Sequence, residues 1–172
     1  MNAGMSGTLC GAELDYVTQI AGGGLVPDRG ALREEFEDRL VSPFGLHRDP
    51  TSCARWWDEA PWSESELRRQ IAAATAWLRR CEPTRRPNRN IGTSYHLKHL
   101  CEDWFRASHG GSVGYTLNGC FIMAALRLGL EVEVPAAFVW GARDFYNPYV
   151  SISTRSVEAL RREVETKVRK LK

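Results

Sequence analysis

Residues 118–130 read NGCFIMAALRLGL, and their reading decides the fold. Wound as a helix, this stretch offers solvent only one charged side chain, Arg127, so it is apolar nearly all round and belongs inside the molecule. Thr116 or Asn118 can cap its start, and Gly129 can end it.

The chain on either side reads mostly as further helices. Upstream, SYHLKHLCEDWF follows Thr93 and gathers Leu97, Leu100, Cys101 and Trp104 on one face, with Gly110 and Gly111 after its last turn. Ser63 stands three residues before Glu66, which is a capping box, and Trp62 can staple onto Leu67. A helix is therefore expected over about 64–81, carrying Leu67, Ile71, Ala74 and Leu78 inward and stopping at Glu82 and Pro83. Leu32, Phe36 and Leu40 give ALREEFEDRL (31–40) a narrow apolar edge. Residues 42–62 hold three prolines and three tryptophans, and read as an irregular segment pinned to the core by Trp56, Trp57 and Trp62.

Downstream the period changes. EVEVP (131–135) alternates, which predicts a short strand with Val132 and Val134 inward. FVWGARDFYNPYVSIS (138–153) continues extended, with an Asn-Pro turn suited to a hairpin. From Ser153 or Thr154 onward, Val157, Leu160, Val164, Val168 and Leu171 form the seam of an amphipathic helix, supported by the pairs Glu158–Arg162 and Glu165–Arg169. The expected fold class is α+β, mostly helical, with about four to five helices and a short strand or hairpin near 131–152. Residues 1–27, with three consecutive glycines at 22–24, read as a flexible N-terminal arm, and 28–172 as a single globular domain.

Composition narrows the function classes. At 172 residues, 43% apolar and 26% charged, the chain has the proportions of one globular domain. The first 28 residues hold acids but neither Lys nor Arg, so the basic start of a secretory leader is missing. The apolar run 117–130 falls short of the roughly 20 residues a bilayer needs. The expectation is a cytoplasmic protein with no membrane partner. Five scattered cysteines without a CxxC pair suit reduced thiols.

Charge is unevenly placed. Net charge is +2, yet residues 1–66 carry twelve acids against five arginines. The positive excess gathers in RRCEPTRRPNR (79–89) and RREVETKVRKLK (161–172), which either neutralise phosphates or pair with acids of the same chain. Arg79, Arg80, Arg85, Arg86 and Arg89, with Lys98 and His99 nearby, are the expected nucleic-acid contacts, made to phosphates rather than through a recognition helix.

Catalytic signatures are sparse. His96, His99 and Asp103 share one strip of their helix and are candidate metal ligands of the two-histidine, one-carboxylate kind, but the helical HExxH pattern is absent. The plainer reading pairs His99 with Asp103 one turn along. Cys101 and Cys120 fall on buried faces, where thiols are inert. Neither a P-loop nor a GxSxG elbow is present. The expectation is therefore a protein that acts by binding, not an enzyme, and uses no cofactor.

SYHLKHLCE (94–102) and GYTLNGCFIMAALRLG (114–129) together resemble a pattern found in uncharacterised proteins of bacterial plasmids, integrative elements and phages, roughly SYGLKHxxE followed by GYxSNGxFIxAAxxxG. The chain departs from it at His96, where the pattern has glycine, and at Leu117, where it has serine. The resemblance implies a mobile-element setting and no established activity. It marks Tyr95, Lys98, His99, Glu102, Tyr115, Asn118 and Gly119 as the positions to test, with Asn118 as a helix cap and Gly119 as a close-packing residue in structural terms. The leading expectation is binding to DNA or RNA, or to a complex that handles it. The alternative is a protein-protein inhibitor or adaptor, an anti-defence factor of the anti-CRISPR kind for example, with Trp56, Trp57 and Trp62 as an aromatic anchor.

Overall fold

The computed structural model describes residues 30–109, 115–135 and 145–170; the expected N-terminal arm lies outside them. Helix α1 (Gly30–Phe36) buries Leu32 and Phe36. It stops a turn earlier than the apolar spacing predicts, because Leu40 adopts a left-handed φ of 57° and turns the chain into strand β1 (Val41–Ser42). Pro43 and Phe44 make the turn to β2 (Gly45–His47), which pairs antiparallel with β1.

The segment expected to be irregular contains α2 (Pro50–Asp58) as well as this hairpin. Asp49 caps that helix by accepting the Ser52 N–H at 2.9 Å, and Pro50 occupies the first turn, where its missing N–H costs nothing. Helix α3 (Glu64–Leu78) opens on the expected capping box: Ser63 Oγ accepts from the Glu66 N–H, and the Glu66 carboxylate accepts from the Ser63 N–H at 2.7 Å. A 3₁₀ turn (Arg89–Ile91) precedes α4 (Ser94–His109).

Helix α5 (Asn118–Arg127) is the buried centre. Cys120, Phe121, Ile122, Met123, Ala124 and Ala125 are each 0% exposed, and removing the larger of these side chains from water contributes about 1.5–3 kcal/mol apiece. Helix α3 packs along it, α4 crosses it, and β1 and β2 cover its start. Gly129 ends it at φ 71° in a Schellman arrangement, with the Leu130 N–H on Ala125 O and the Gly129 N–H on Leu126 O, both at 3.0 Å. Helix α6 (Thr154–Lys170) lies against α4, burying Val157 and Leu160; Val168 is left 41% exposed. With six α-helices among the described residues and a few short strands, the fold is mostly helical α+β.

Strand β3 (Val132–Glu133) leaves Val134 exposed beyond its end, so the expected inward alternation covers only Val132. The Asn-Pro hairpin is also replaced by something else. β4 (Phe145–Tyr146) pairs with β2, whereas β5 (Tyr149–Val150) pairs with β3. Asn147 and Pro148 thus form a corner between two small sheets. Both backbone edges find partners this way, which a lone two-residue hairpin does not offer.

The basic linker is held along that second sheet. Its 83–94 stretch runs antiparallel to 148–153, with the Thr84 N–H on Ser151 O at 2.9 Å, the Asn88 N–H on Val150 O at 3.0 Å and the Ser94 N–H on Pro148 O at 2.6 Å. Asn88 Nδ2 also reaches Ile152 O and Thr154 Oγ1. The basic stretch between α3 and α4 is therefore a fixed edge.

Candidate functional site

Lys98 lies one turn into α4 and is 1% exposed. A buried ammonium requires a counter-charge, and Glu102, also on α4, supplies it at 3.0 Å. The same Glu102 oxygen accepts the Thr116 N–H at 2.9 Å, which ties the entry to α5 onto α4. The other oxygen meets His99 Nδ1 at 2.8 Å. Two tyrosines present ring faces to Lys98: Tyr115 at 4.6 Å and Tyr95 at 5.2 Å from ammonium to ring centroid. Both rings remain open to solvent, Tyr95 at 46% and Tyr115 at 57%. The His99 ring stands edge-on to Tyr95, 4.8 Å between centroids.

The Asn147–Pro148 corner ties the start of α4 to the start of α5. Asn118 Nδ2 donates to Asn147 Oδ1 at 2.9 Å, and Ser94 is held through its backbone to Pro148. Ser94 Oγ and Asn118 Oδ1 are buried and find no hydrogen-bond partner among the described residues. Five of the seven marked positions, Tyr95, Lys98, His99, Glu102 and Tyr115, therefore meet although twelve residues lie between Glu102 and Tyr115, whereas Asn118 bonds Asn147 and Gly119 packs against β1.

Several expectations change in detail. Lys98 is no phosphate contact, because its charge is spent on Glu102 inside the protein. Asn118 does not cap α5: Leu117 holds the cap position without a side-chain bond, and the Asn118 amide turns to Asn147 instead. Gly119 does allow a close approach, but to the backbone of Ser42 and Pro43 rather than to a helix; its N–H bonds Pro43 O at 3.0 Å. His99 pairs with Glu102, not Asp103, since Asp103 is taken by Arg106 at 2.6 Å.

The proposed metal ligands diverge for the same reason. His96 and Asp103 border the groove between α4 and α6, where His96 helps line a cavity of about 380 Å³ with Asn90, Thr154 and Glu158. His99 is turned to Glu102. No group of three or more metal-ligating side chains is assembled among the described residues. The cysteine reading agrees with the structure. Cys53, Cys81, Cys101 and Cys120 are buried and free, and desolvation pushes the Cys53 and Cys81 thiols up to about 12 and those of Cys101 and Cys120 upward as well.

The arginines do not act as one surface. Arg80 pairs with Glu163 of α6 at 2.8 Å and lies 4.9 Å over the Trp104 ring. Arg89 is paired to Glu133. Arg79 borders a different cavity, between α3 and Arg127. Arg85 and Arg86 are exposed, and no carboxylate among the described residues pairs with either. Of the tryptophans, Trp57 is core, donating Nε1–H to Val41 O at 3.0 Å, while Trp56 and Trp62 are half-buried and tilt onto Phe44 at 4.6 and 5.3 Å.

Among the described residues no helix is long and apolar enough to cross a membrane. Comparison with protein-family models, with curated proteins and with solved structures finds no match to this chain.

Proposed function

We propose that the protein binds single-stranded nucleic acid along the ledge formed by Tyr95, Tyr115, Arg85 and Arg86. The observation that carries this reading is the pair of exposed tyrosines, each with one ring face held by the buried Lys98 ammonium and much of its surface in solvent. Aromatic faces fixed in this way suit base stacking, which contributes about 1–3 kcal/mol per base and favours strands whose bases are already unpaired. Arg85 and Arg86, exposed on the stretch between α3 and α4, are assigned the phosphate contacts. Their stretch is attached to Ser151 and α4 to Pro148.

The test is equilibrium binding of a fluorescently labelled single strand, competed with unlabelled single strand or duplex of the same sequence. The reading expects the single strand to compete far better, and Tyr115→Ala to weaken binding roughly tenfold or more. A duplex that competes equally, or a Tyr115→Ala chain that binds as wild type, contradicts it.

One observation favours a second reading. Exposed tyrosines are also typical anchors of protein interfaces, so an inhibitor or adaptor that docks a protein on this ledge is the rival. In that case binding survives replacement of Arg85 and Arg86 and responds weakly to salt.

A further inference from the structure

We propose that His99 is a general base acting on the bound strand, so that the ledge cleaves RNA; this rests on the nucleic-acid reading above. The geometry begins with Glu102. Its Oε1 is occupied by Lys98 Nζ and the Thr116 N–H, which leaves Oε2 for the imidazole. A carboxylate only accepts, so His99 Nδ1 carries the hydrogen, and the neutral ring keeps its lone pair on Nε2. Tyr95 pins the ring edge-on from a second direction. The His99 side chain is 47% exposed while its partner Glu102 is 7% exposed. With Nδ1 bonded to the buried carboxylate, the scheme assigns the free ring nitrogen, Nε2, to the bound strand. A buried carboxylate orienting a half-exposed imidazole is the arrangement that general-base chemistry uses. Here it stands beside two ring faces suited to holding bases.

The step a single base can promote on such a strand is transesterification. Nε2 takes the proton of a ribose 2′-hydroxyl, whose oxygen attacks the adjacent phosphorus. The bond from phosphorus to the 5′-oxygen breaks, and that oxygen leaves with its electron pair and takes a proton from water. The hydroxide so formed is neutralised by the proton on the imidazolium. The products are a 2′,3′-cyclic phosphate and a 5′-hydroxyl end. Nothing is oxidised or reduced, and no co-reactant is consumed. Lys98 and Glu102 are positioning residues in this scheme.

The experiment incubates the full chain with an end-labelled single-stranded RNA, its all-DNA counterpart and an RNA carrying one 2′-deoxy residue at the mapped cut. Binding of each strand is measured in parallel. The expected result is RNA cut to a cyclic-phosphate end, with DNA and the substituted linkage left intact. His99→Gln is expected to cut RNA held at saturating protein at least about 100-fold more slowly, a comparison that a loss of affinity leaves unaffected. Two results overturn the proposal: RNA bound at saturating protein but left uncut, or His99→Gln cutting at the wild-type rate. Failure of every strand to bind overturns the underlying reading instead.

Discussion

Gly119 is where one added carbon does most harm. A Cβ built there would lie 1.8 Å from Ser42 O and 2.5 Å from Pro43 O, both backbone atoms that cannot swing aside. Gly119→Ala is expected to destabilise the fold by about 3 kcal/mol, measured as a lower urea midpoint at unchanged slope; a midpoint equal to wild type would show that the β1 turn yields. The Lys98–Glu102 pair is the other sensitive point. Removing one partner of a buried pair leaves a charge with no compensation, so Lys98→Met should cost about 3–5 kcal/mol. Adding Glu102→Gln to it should cost much less than the two single changes combined, a non-additivity that a double-mutant cycle reads directly. The resemblance marks Lys98, Glu102, Tyr95 and Tyr115 as positions to test but says nothing of how they are arranged. Whether His99 bonds Asp103 or Glu102 depends on Arg106 claiming the former and Thr116 fixing the latter, and both are outcomes of packing rather than of helical spacing.

At the scale of elements, the helices follow from local chemistry. The Ser63–Glu66 box starts α3, Gly129 finishes α5, and the seam of Val157 and Leu160 lays α6 on α4. Ser63→Ala should lower stability by about 1 kcal/mol through the lost cap, seen as a small drop in thermal midpoint; no change would mean solvent replaces the cap fully. Helix α2 was hidden by its prolines, although Asp49 and Pro50 are a legitimate helix start. The divergence of β4 and β5 was hidden more deeply, since an Asn-Pro corner looks the same whether its strands pair with each other or with distant partners.

The seat of α6 also carries a pH dependence. For Glu163, burial is the largest influence and acts upward, but the Lys167 hydrogen bond and the Arg80 charge outweigh it and hold its carboxyl below the usual range. A carboxyl depressed in the folded state contributes stability that is present above its unfolded pKa and lost as pH falls through the folded value. Acidification below the ordinary carboxylate range should therefore loosen α6 from Arg80 and Trp104, and Glu163→Gln should flatten that part of the stability profile. An unchanged acid limb in the variant would remove Glu163 from the account.

Over the whole molecule, part of the charge asymmetry resolves into pairs within the chain. The five linker arginines are adjacent in sequence, but a helix end, an extended edge and a 3₁₀ turn send them to Glu163, to Glu133, to the α3 side and to solvent. Of the five, Arg85 and Arg86 are exposed and have no carboxylate partner among the described residues. The proposed binding accordingly assigns a small, local cationic share to Arg85 and Arg86 and the rest to the two tyrosines.

That division gives a direct measurement: the affinity for a short single-stranded oligonucleotide as a function of salt, for wild type and for Arg85→Ala/Arg86→Ala. The account expects affinity to fall with salt in the wild type, and the logarithmic slope of the double variant to be shallower by about 1.4, the counterions of two lost phosphate contacts. A wild-type affinity indifferent to salt, or a slope that the two replacements leave unchanged, would contradict it.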